Sequence, residues 1–135
     1  MISISVPNIS NEAQVAFTKH KQKINETLVT RLLTEHGQFD HLGDQAESIL
    51  MAGSEFTSSN LEACMLMNDS SLLIDQLRWA KDRLPHDGIN MDRMLKNLDV
   101  YCEVITEFLP EAYSREIVNL VKQMITVAQE IMKDN

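Results

Sequence analysis

The chain has 135 residues, of which 44% are apolar and 24% charged, with a net charge of −8. That is one domain's worth of chain, able to bury a core without disulfides or metals, and too apolar to be disordered. The acidic balance argues against nucleic acid and anionic membrane surfaces, which need clustered Lys and Arg, and leaves a protein partner, a homodimer or a small molecule.

Residues 1–9 read as an N-terminal arm in which Ile2, Ile4 and Val6 alternate with Ser3 and Ser5, a strand-like period of two with no second strand to pair with. The arm has no basic start and no long apolar stretch, so it is not a signal peptide. No segment approaches the about 20 apolar residues that span a bilayer. A cytoplasmic protein is the expectation.

Residues 10–135 read as a single helical-bundle domain. Ser10 or Asn11 caps a first helix of about 12–36, whose stripe is Ala13, Phe17, Ile24, Leu28 and Leu32, with Gly37 just past its end. Asp40 is placed to cap a second helix carrying Leu42, Ala46, Ile49 and Leu50, closed by Gly53. The polar run from Ser54 to Ser59 reads as a loop, followed by two helical turns from Asn60 to Met67 with Leu61, Cys64 and Met65 inward. The capping residues Asn68, Asp69, Ser70 and Ser71 compete with the helical backbone for hydrogen bonds and predict a break.

A helix over about 70–84 then carries Leu73, Leu77, Ala80 and Leu84. The turn Pro85-His86-Asp87-Gly88 leads to a helix over about 91–108, capped by Asn90 and striped by Leu95, Leu98, Cys102 and Ile105. These two stripes around one tight turn predict an antiparallel helix pair. Leu109-Pro110 ends that helix, because a residue before proline avoids helical geometry, and Pro110 suits the first turn of the last helix. Tyr113, Ile117, Leu120, Val121, Met124, Ala128 and Ile131 stripe the last helix. The fold expected is all-α, a single-domain antiparallel bundle of five or six helices.

The sequence offers little chemistry. A di-iron bundle needs Glu-x-x-His pairs, but Phe17, Leu33, Gln38 and Arg83 stand three residues before the four histidines. Glu35, His36, Asp40, His41 and Asp44 form a looser acidic and histidine cluster, which reads as a polar turn. Phosphate loops, nucleophile elbows and dinucleotide fingerprints are missing. Cys64 and Cys102 match neither zinc nor redox spacing and read as buried thiols of a reducing compartment. His20 lies at the edge of the first stripe, where a haem ligand of a globin-like sensor would sit.

The residues His41-Leu42, Ala46-Glu47, Arg78-Trp79-Ala80-Lys81, Leu84, Gly88-Ile89, Leu95, Leu98 and Leu109-Pro110 give the segment 40–110 a further feature. It resembles a helical module that adjoins cobalamin-binding domains in bacterial sensory and regulatory proteins. Asp44 and Gln45 stand where that module carries bulky apolar or aromatic residues. The Asp-x-His-x-x-Gly signature of the cobalamin domain is absent, so no cobalt-ligating histidine carries over. The resemblance implies a stand-alone sensory relative that caps a tetrapyrrole, holds another apolar ligand or relays a signal to a partner, with Trp79 as a pocket-lining group.

The reading drawn from the whole sequence is a non-enzymatic sensory or regulatory module. It takes an apolar or tetrapyrrole ligand between its helices, against Trp79, Met65, Met94 and Phe17, and signals to a protein partner. The chain's eight methionines suit such irregular apolar contacts. A ligand-free interaction or dimerisation module is the first alternative, and the sequence names no specific cofactor.

Overall fold

The computed structural model describes residues 4, 8–34 and 39–133, with Asp87 described by its backbone alone. Its order is α1 (Asn11–Thr34), a 3-10 segment (Asp40–Gln45), α2 (Ala46–Met67), α3 (Ser71–Arg83), a 3-10 turn (Leu84–Asp87), α4 (Met91–Phe108) and α5 (Glu111–Lys133). The described residues are therefore all-helical, with five α-helices and no strand. Among them, no helix is long and apolar enough to cross a membrane. Ile4 and Ile9, from the arm expected to be strand-like, are buried in the helical core, while Ile2 and Val6 lie outside the described residues.

Capping sets where α1 begins. The Ser10 Oγ accepts the Ala13 amide at 3.2 Å and donates to Glu116 Oε2 at 2.8 Å, while the Ser10 N–H donates to Glu116 Oε1 at 3.1 Å. One residue thus satisfies a first-turn amide and ties α1 to α5, with a carboxylate near the positive end of the helix. The expected helix end and Gly37 fall outside the described residues.

The second helix departs from its expected form. Asp40 opens a 3-10 segment without a side-chain cap, and Gly43, at φ +61° and ψ −140°, breaks it before α2 starts at Ala46. That backbone favours glycine, so the kink is local in origin. α2 then runs through Gly53 and through the serine-rich stretch expected to be a loop, ending only at Met67. Asn68 closes it in the left-handed conformation at φ 52°, and the Asp69 N–H reaches back to the Cys64 carbonyl at 3.2 Å. The break expected at residues 68–71 is present.

α4 starts as its sequence implies, with Asn90 Oδ1 accepting the Arg93 amide at 2.7 Å. Leu109 is extended, as befits a residue before proline. Pro110 sits one position before α5 rather than inside it, its carbonyl accepting the Tyr113 and Ser114 amides.

α5 packs against α1, α3 and α4, and Ile117, Leu120, Val121, Met124 and Ala128 are wholly buried along it. Each such Leu or Ile contributes about 1.5–3 kcal/mol by leaving water. The hairpin expected of α3 and α4 does not form as a packing unit. α3 packs on α2 and α5, whereas α4 packs on α1 and α5. The inward face of α3, Leu73, Leu77 and Ala80, is buried on a helix that packs against α2 and α5.

Candidate ligand cavity

α3 and α4 share α5 but otherwise pack on different helices, α2 and α1, and a gap opens between them. It is a cavity of about 580 Å3 bounded by α2, α3, α4 and the residues linking α3 to α4, with Leu28 and Leu32 of α1 in its wall. Small-molecule sites typically enclose about 300–1,000 Å3. Most of the lining is apolar, including Ile49, Leu50, Leu84, Ile89 and Leu98. Gly53 adds to the space, since a Cβ built there meets nothing within 4 Å.

Phe56 and Trp79 both line the cavity and both remain exposed, at 45% and 51%. Their rings meet edge to face, with centroids 5.6 Å apart at 62°, a favourable aromatic geometry. They make an aromatic rim where the cavity reaches solvent. Arg83 also borders it and is exposed.

The polar part of the wall is ordered by hydrogen bonds. Asn25 Oδ1 accepts from Ser54 Oγ and from Ser58 Oγ, each at 2.7 Å, and Ser58 Oγ lies 2.7 Å from the Tyr101 hydroxyl. Ser54 and Tyr101 line the cavity. Burial pushes the Tyr101 phenol well above its usual range, with the Ser58 hydrogen bond opposing part of that rise. Gln76 adds a second pair of bonds, donating to Thr57 Oγ1 and accepting from Asn60 Nδ2, each at 2.8 Å. These partners explain how the serine-rich stretch is helical: the Ser54 and Ser58 hydroxyls bond to α1 and α4, and do not compete for the backbone of α2.

Of the four residues expected to hold a ligand, Trp79 and Met94 line this cavity. Phe17 and Met65 do not; both are packed in the core, at 0% and 5% exposure. Sequence reasoning passed over Phe56, Gln76 and the Asn25–Ser54–Ser58–Tyr101 group. The available signal was the spacing of Ser54 and Ser58, one turn apart on the same face as Leu50 and Leu61.

The other candidate groups are engaged elsewhere. His41 Nε2 lies 2.7 Å from the Gly88 carbonyl, tying the first 3-10 segment to the turn before α4. Glu35 and His36 lie outside the described residues, among which no group of three or more His, Cys, Asp and Glu could hold a metal ion. His20 is half-buried with its ring 6.3 Å from that of Phe108, and does not line the cavity. Burial, the largest cause, pushes the Cys64 and Cys102 thiols up to about 11, with Asp69 and Asp99 adding to the respective rises. Inert core thiols are what that environment produces. No protein-family model, no curated protein and no solved structure matches this chain.

Proposed function

We propose that the chain is a non-enzymatic, cytoplasmic regulatory module that takes an apolar small molecule into the α2–α3–α4 cavity and so alters its hold on a protein partner. The observation that carries this reading is the cavity itself: about 580 Å3, mostly apolar, with a few ordered polar groups and an aromatic rim. Two buried, unbridged thiols suit a reducing compartment. The described lining contains no histidine or cysteine, which argues against a histidine-ligated, globin-like haem site in this cavity.

Trp79 is the chain's only tryptophan, so its emission reports directly on the rim. Titration with 1-decanol, decanoate, haem and cobalamin should give a saturable emission change with at least one apolar member, together with a raised melting temperature. If none of the four moves either signal, the ligand-binding reading fails.

A second reading, an interaction or homodimer face, rests on a different surface. Leu66 is 80% exposed, Met67 56% and Val15 59%. Glu62 accepts from Thr18 and Lys21, while Ser54 and Ser58 meet Asn25. We read α1 and α2 as antiparallel on that register, which puts Val15 and Leu66 one turn beyond the Thr18–Glu62 contact on neighbouring helices. A homodimer through this patch predicts that Leu66→Lys converts a dimer to a monomer by light scattering. A wild-type chain that is monomeric at high concentration overturns it.

A further inference from the structure

The hydroxyl network on the cavity wall has a fixed direction, and that direction bears on which ligand fits. Asn25 Oδ1 has two lone pairs, and it receives the Ser54 and Ser58 hydroxyl protons. A serine has one hydroxyl proton, so Ser58 has none left for Tyr101. The 2.7 Å contact between them is therefore donated by the Tyr101 hydroxyl. Burial disfavours the phenolate, so that proton stays in place at neutral pH. The two serines thus donate to Asn25 and Tyr101 donates to Ser58, so Ser54 and Tyr101 retain only lone pairs for anything else.

The neighbouring groups extend the pattern. Gln76 has its carbonyl oxygen taken by Asn60 and its amide nitrogen donated to Thr57. Thr57 accepts that bond and keeps its own proton. Arg83 is the one cation among the described lining residues, and it is exposed and already engaged. A carboxylate here meets the lone pairs of Ser54 and Tyr101 and a single hydroxyl donor, Thr57, without a buried cation to offset its desolvation.

We infer that the cavity prefers an apolar chain ending in a neutral hydrogen-bond donor, such as a primary alcohol or primary amide, over a carboxylate or an ether of the same length. This rests on the ligand-binding reading above. A hydroxyl head donates to the Ser54 or Tyr101 oxygen and accepts from Thr57, while the alkyl body lies against Leu50, Leu98 and the Phe56–Trp79 rim.

The test compares 1-decanol, decanamide, methyl nonyl ether and decanoate on the full chain by Trp79 emission. The alcohol and amide should bind about tenfold or more tightly than the ether and the carboxylate, the gap expected of one buried hydrogen bond. Ser54→Val, which removes one of the two acceptor oxygens, should narrow the gap between the alcohol and the ether. Tyr101→Phe serves as the second variant if Ser54→Val lowers the helical circular-dichroism signal, and it should also narrow the gap. Equal affinities for all four probes, or tightest binding by decanoate, overturn the donor preference while leaving the ligand-binding reading intact. Binding by none of them overturns both.

Discussion

On α5, Ile117, Leu120, Val121, Met124 and Ala128 are apolar and sealed, and the buried Ser114 bonds only within its own helix, whereas α2 buries Ser54 and Ser58 against other helices and leaves Phe56, Leu66 and Met67 in solvent. The two helices are nearly the same length, 23 and 22 residues. One spends its apolar face on packing. The other breaks the pattern on both sides, placing polar groups inside and large apolar groups outside. Such inversions cost stability unless each buried polar group finds a partner. The cavity, its hydroxyl network and its aromatic rim all involve α2, which is the comparison's physical content.

The largest expected effect tests whether the two sides differ in packing. Leu120→Ala, in the sealed α5 seam, should cost about 2–5 kcal/mol in chemical denaturation. Ile49→Ala, beside the existing cavity, should cost clearly less, because its atoms already lack neighbours on one side. Equal losses would erase the contrast.

The thiols sharpen the same comparison from inside. Burial holds the thiols of Cys64 on α2 and Cys102 on α4 up at about 11, above the usual range for a cysteine. Each thiolate fraction at pH 8 is then about 100-fold below that of an unfolded chain, and iodoacetamide should label the native protein correspondingly slowly. The sign for stability follows. A folded-state pKa that is raised gives stability fully present below pH 9, lost as the pH climbs from about 9 toward 11. The denaturation midpoint should fall across that window, and Cys64→Ala with Cys102→Ala should flatten the fall. Fast labelling of Cys64 alone would show that α2 opens locally.

Next in size is the network. Asn25→Leu strands the Ser54 hydroxyl and leaves Ser58 only its Tyr101 partner, which should cost about 1–3 kcal/mol. A cost near zero would mean that the polar interior of α2 is incidental. Smallest is Gly53→Ala, where the added methyl meets nothing. Higher helix propensity should stabilise α2 by about 0.5–1 kcal/mol. Gly53→Leu, filling the same space, should leave the fold intact and abolish the Trp79 emission response to 1-decanol.

Local signals were legible wherever one residue acts on its own backbone. Ser10 and Asn90 cap their helices, Pro110 separates α4 from α5, and the residues around Asn68 end α2, each as its chemistry requires. The helix stripes of α1 and α5 were legible for the same reason, since a 3.6-residue period needs no knowledge of the partner. Met94 and Trp79 were placed at a pocket, while Phe17 and Met65 proved to be core. From a stripe alone, a wall residue and a core residue look alike.

The amino-acid order by itself determined where α1 begins, the extents of α3, α4 and α5, and the apolar stripes of those helices. Tertiary structure alone decided that the serine stretch is helix, because its hydroxyls needed Asn25 from a distant part of the chain to leave the backbone alone. It also decided that α3 and α4 part company and leave a cavity between them. Which apolar faces meet depends on how all five helices share one interior, and α5 won the competition for both neighbours.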